Sequence, residues 1–121
     1  MMDFKITFPA GYNETSEFDD NIDVNVIFKN GTVFVATLFT LVNIQKLMTK
    51  ANSVSFWATD MVIVKNLNHK TIRAAIKEVI DDGYFESACT NIGRIEKQYP
   101  GMSFEQIPDM AEGYRLREKL D

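Results

Sequence analysis

Residues 22–40, IDVNVIFKNGTVFVATLFT, decide the fold of this chain. Two runs rich in Val, Ile, Phe and Thr, residues that suit a pleated and half-buried surface, meet at Lys29-Asn30-Gly31. The Asn-Gly pair can supply the positive φ values of a tight turn, so the segment reads as a β-hairpin that continues into a helical pattern. On the first strand, from about Asn21 to Lys29, Ile22, Val24, Val26 and Phe28 share one face, with Asp23, Asn25 and Ile27 on the other. On the second, from Thr32 to Phe39, Val33, Val35 and Phe39 oppose Phe34, Ala36 and Leu38. A strand apolar on both sides is expected at the centre of a sheet or in an interface.

Upstream, Asp3 to Phe8 alternates with Phe4, Ile6 and Phe8 on one side, which predicts a strand ending at Pro9. Residues 9–19, PAGYNETSEFD, hold no sustained period and read as an exposed connection. Downstream, Thr40 is placed to cap a helix in which Leu41, Ile44, Leu47 and Met48 recur, ending near Asn52 and Ser53. Ser55 to Lys65, SFWATDMVIVK, is expected as a fourth strand pairing with the hairpin. Asn68 is the N-cap expected for a second helix, striped by Ile72, Ala75, Ile76, Val79 and Ile80 and stopped by Gly83. Tyr84, Phe85, Ala88, Cys89 and Ile92 predict a short helix before Gly93, residues 94–109 are punctuated by prolines, and 110–120 return to a charged helical pattern. The expectation is an α+β domain over 1–93, a mostly antiparallel four-stranded sheet with two main helices in the order β-β-β-α-β-α. Residues 94–121 are expected to form a helical appendage of the same domain.

A chain of 121 residues, 45% hydrophobic and 25% charged, matches an ordinary globular domain able to bury a core without disulfides or metal. Cys89 is the only cysteine, which fits a reducing compartment. The N-terminus lacks the apolar core of a secretory signal, and the longest apolar run, Val33 to Val42, is about half of a bilayer span. A cytoplasmic protein with no membrane association is therefore expected. The net charge of −4 resides wholly in the first forty residues, where Asp3, Glu14, Glu17, Asp19, Asp20 and Asp23 outnumber Lys5 and Lys29. That sector disfavours nucleic acid, whose phosphates select Lys and Arg, and suits a basic protein partner or plain solubility.

Signals of chemistry are sparse. His69 and Cys89 are the sole conceivable nucleophile and base, and they flank a helix that separates them by about 20 Å, with His69 expected to face solvent. One Cys and one His cannot close a zinc site. Asp19, Asn21 and Asp23 imitate the start of a calcium loop, but Val24 and Asn30 stand where its glycine and glutamate are required. Neither a dinucleotide fingerprint nor a P-loop is present. No metal, cofactor or catalytic residue is therefore expected. Asp60, inside an apolar run, is expected to be buried and bonded to backbone or to a hydroxyl such as Thr59. Together with Tyr12 and Trp57 it is a candidate lining for a small-molecule cleft between sheet and helices.

At DNIDVNVIFKNGTVFVATLFTLVNIQKLM and FWATDMVIVKNL the chain resembles a group of small uncharacterised bacterial proteins in which a hairpin, a short helix and a Phe-Trp-Ala strand recur. The resemblance spans about residues 20–85. Proteins of this size and style look like the immunity partners of polymorphic or contact-dependent toxins, which occlude a toxin's active site and carry no catalytic residues. The resemblance implies a protein-binding module; the acidic sector separately points to Glu14, Glu17, Asp19, Asp20 and Asp23 as the expected contacts for a basic toxin domain. A homodimer that buries the apolar strands and a small-molecule binder are the alternatives.

Overall fold

The computed structural model describes residues 3–111. It is an α+β fold with strands β1 (Phe4–Thr7), β2 (Asn21–Phe28), β3 (Thr32–Thr40), β4 (Met61–Val64) and β5 (Thr90–Arg94). Its helices are α1 (Leu41–Ala51), α2 (His69–Asp81), α3 (Phe85–Ala88) and α4 (Ile95–Gln98), with 3-10 turns at Tyr12–Glu14 and Phe104–Gln106. Strands β1, β2 and β3 pair antiparallel in sequence, and β3 is central as its two-sided apolar pattern requires. The far edge of β3 is shared by two short strands, β5 antiparallel along Thr32–Val35 and β4 parallel along Thr37–Thr40.

The hairpin forms with Ile27 opposite Val33, but by a different turn. Gly31 N–H donates to the Phe28 carbonyl and only Gly31, at φ 94°, is left-handed; Asn30 is not among the positive-φ residues. This is the geometry of a three-residue loop, a type I turn closed by a left-handed glycine. Asn30 instead accepts a bond from Thr32 N–H through Oδ1. A Cβ on Gly31 would meet only the guanidinium end of the exposed Arg94 side chain, which can move aside, so the demand for glycine here is conformational.

Under one sheet face, Ile6, Val24, Val26, Leu38, Ile72 and Ile76 form the main core, with α2 supplying the last two. Phe28, Phe34 and Phe85 meet edge to face there at centroid separations of 5.1–5.6 Å. On the opposite face a smaller cluster joins Ile27 and Val33 to Ile95 and Ile107. Residues 95–111 are thus built into the domain. Lys5 Nζ donates to the carbonyls of Phe104 and Ile107, and Arg73 pairs with Asp109. The helical pattern expected over 110–120 lies almost wholly outside the described residues.

Three local expectations are corrected. The fourth strand does not span Ser55–Lys65: β4 begins at Met61, because Asp60 takes a left-handed backbone (φ 60°) that an extended strand cannot continue through. The segment before Gly93 contains a fifth strand, β5, after one short helical turn. His69 does not face solvent but is buried at the start of α2. Among the described residues no helix is long and apolar enough to cross a membrane.

Candidate functional site

The acidic connection before β2 is tied to the start of α1. Thr40 closes β3 and caps α1, its Oγ1 accepting from Asn43 N–H at 3.3 Å, as its hydroxyl chemistry predicts. The same oxygen accepts from Asp20 N–H, and Thr40 N–H donates to the Asp20 carbonyl at 3.2 Å. Asn21 Nδ2 donates to Asn43 Oδ1 at 2.8 Å, and Asp19 forms an ion pair with Lys46 one turn further along α1. The Lys46 bond holds the Asp19 carboxyl below its ordinary range. Loop and helix therefore present one composite surface.

The five carboxylates singled out in the sequence have different tasks on it. Glu14 and Glu17 are exposed, and Glu17 accepts from the Asn68 side chain at 3.2 Å. Asp20 organises the loop, accepting from the N–H groups of Ser16 and Asn21. Asp23 accepts from Thr37 Oγ1 at 2.7 Å across the β2–β3 pair. Between Glu17 and Asp19 stands Phe18, 59% exposed, and beyond Thr40 stand Leu41, 66% exposed, and Val42. Charge pattern alone drew attention to the carboxylates and passed over these apolar side chains. Their signal was present in Phe18, an aromatic flanked by carboxylates in a segment without periodicity.

Tyr12, Trp57 and Asp60 are not brought together. Tyr12 stacks on Phe8 at 4.1 Å and donates to the Leu67 carbonyl, beyond the C-terminal end of β4. Asp60 and Trp57 precede the other end of that strand, and Trp57 is 78% exposed. The shallow depression containing Tyr12 is lined by Thr15, Glu17, Leu67 and His69, without Trp57 or Asp60. Asp60 is half-buried, and its carboxylate accepts from Thr90 Oγ1 on β5, not from Thr59. Its carbonyl accepts from Thr37 N–H, so the residue joins β4 and β5 to β3.

Cys89 is buried in the main core, where desolvation first and the Asp60 charge second push its thiol up to about 11. Such a thiol is a poor nucleophile near neutral pH. His69 lies at the opposite end of α2 from the α3 turn that precedes Cys89, across a helix of 13 residues or about 20 Å. No group of three or more metal-ligating side chains exists among the described residues. What the fastened loop and helix do offer are exposed apolar side chains, Phe18 on the loop and Leu41 and Val42 on the first turn of α1, with exposed Glu14 and Glu17 on the same loop as Phe18. Comparisons with protein-family models, with curated proteins and with solved structures find nothing that matches the chain.

Proposed function

We propose that this chain is a protein-binding module that acts by occlusion, and that its partner is a basic protein domain such as a bacterial toxin. The reading rests on one observation: the acidic loop, with exposed Phe18, Glu14 and Glu17, is fastened to the first turns of α1, which carry exposed Leu41 and Val42. Apolar anchors desolvated at the centre of a contact supply most of its affinity, while charged rims steer association and select the partner. An acidic rim is complementary to a surface that binds nucleic acid, which is basic where it meets phosphate.

The test is affinity capture from a native lysate with the tagged chain, run beside a Phe18→Ala/Leu41→Ala variant and a Glu14→Lys/Glu17→Lys variant. A stoichiometric basic partner should be retained by the unaltered chain. The apolar variant should lose it, and the charge-reversed variant should bind more slowly and with less salt dependence. Recovery of the bait alone, or equal capture by all three, would sink the proposal.

A further inference from the structure

The two edges of the sheet are finished differently. At β1 the outward N–H groups of Ile6 and Phe8 are met by Asp109 Oδ1 at 3.4 Å and Met110 Sδ at 3.2 Å, so the C-terminal segment closes that edge. At β4 nothing among the described residues pairs with the outer side. Thr37 N–H donates to the Asp60 carbonyl, and Thr37 is level with Met61 and Phe39 with Ile63 in the parallel ladder. By the alternation of such a ladder, the inward groups of β4 are those of Val62 and Val64. The N–H and C=O of Met61 and Ile63 point away from the sheet.

This open edge forms one wall of a groove whose other wall is α2. Lys70, Thr71, Ala74, Ala75 and Glu78 line it at the spacing of a single helix face. Lys70 to Glu78 spans about 12 Å of helix, close to the ~13 Å of a four-residue strand. The small side chains of Ala74 and Ala75 leave room opposite Ile63, which is itself exposed. Lys65, just after β4, and Lys70, in the first turn of α2, both line the groove, and both are exposed and in no ion pair among the described residues.

We propose that this groove accepts an extended peptide of another protein, which adds to the sheet beside β4 and sets a carboxylate against Lys65 and Lys70. Strand addition satisfies the outward groups of Met61 and Ile63, and alternate peptide side chains rest on Ile63 and in the space over Ala74. The two free ammonium groups select an acidic segment over a neutral or basic one. The groove borders the acidic loop at Asn68, which lines it and donates to Glu17, but the substitutions that test it leave the loop and α1 untouched, so it stands or falls independently of the function proposed for them.

A random dodecapeptide display library, selected on the full chain and counter-selected on Ala74→Arg, tests this. Ala74 is an exposed helix position, so arginine there fills the groove without entering the core. Enriched peptides should be acidic and alternate β-branched residues. They should bind Ala74→Arg and Lys65→Glu/Lys70→Glu at least tenfold more weakly, slow amide exchange at Met61 and Ile63, and lose binding when N-methylated at alternate residues. Absence of enrichment, enrichment of basic peptides, or peptides indifferent to Ala74→Arg or to N-methylation would each overturn the proposal. So would a dimer of the free chain that Ala74→Arg dissolves, since a second copy would then be the occupant.

Discussion

Helices α1 and α2 each begin at a side-chain cap, Thr40 and Asn68, and each carries an apolar stripe, yet α2 buries Ile72 and Ile76 whereas no residue of α1 is buried. Both caps bond an N–H three residues ahead, at 3.3 Å in α1 and 2.8 Å in α2. The difference lies in what faces the stripe. Helix α2 lies under the face where Ile22, Val24, Ala36 and Leu38 need cover, and each side completes the other's burial. Helix α1 carries the crossover from β3 to β4. It is held through its first turns by polar contacts to residues 19–21, and its C-terminus is closed by left-handed Asn52. A helix of 11 residues is marginal without packing, so these fastenings and its half-buried Ile44, Leu47 and Met48 keep it in place. Local signals decide that a helix starts; the surface it meets decides whether the helix is core or is presented outward.

That contrast can be broken most directly by paired truncations. Ile76→Ala should cost about 2–5 kcal/mol in urea unfolding, and Leu47→Ala about 1 kcal/mol or less. Equal costs would mean that α1 is as much part of the core as α2. A second effect concerns Cys89, in the core that α2 covers. Its folded value, about 11, lies above the ordinary 9.0, so the folded chain holds the proton more tightly. Stability from this group is complete below pH 9 and is lost as pH rises toward 11, by about 2–3 kcal/mol. Melting curves across that range should fall more steeply for the native chain than for Cys89→Ala, and parallel curves would contradict the buried thiol.

Smaller again are the caps. Asn68→Ala and Thr40→Ala should each cost about 1 kcal/mol, with Thr40→Ser close to neutral. Thr40→Ala has a further signature, because Thr40 Oγ1 also anchors Asp20. Amide exchange in residues 16–21 should accelerate in that variant and not in Asn68→Ala. The smallest change is expected from Leu41→Ala, within about 0.5 kcal/mol of the native chain, since this side chain is mostly exposed. A larger loss would remove it from the partner-facing surface and place it in the fold.

Much of this was legible beforehand. The hairpin, the central position of β3, both main helices, their caps and the Gly83 stop follow from period, capping chemistry and left-handed glycine. The failures have particular causes. Ser55-Phe56-Trp57 has strand composition, but Phe56 packs edge-on against Phe39 at 5.1 Å while Trp57 remains exposed, and the strand waits for the turn at Asp60. Thr90-Asn91-Ile92-Gly93-Arg94 has little intrinsic strand character, and becomes β5 because the open half of β3 offers it hydrogen bonds. The candidate surface was half legible: the carboxylates were evident, whereas the exposure of Phe18, Leu41 and Val42 was not.

Sequence by itself determined where strands alternate, where helices start and stop, and that one strand would be covered on both sides. These depend on contacts within a few residues or on the pattern of a single segment. Tertiary structure alone decided that β4 and β5 share one edge of β3, that the C-terminal segment closes β1 while β4 stays open, and that α1 faces outward. Each of those outcomes turns on which distant surface a segment meets, and a periodic pattern describes a face without naming what covers it.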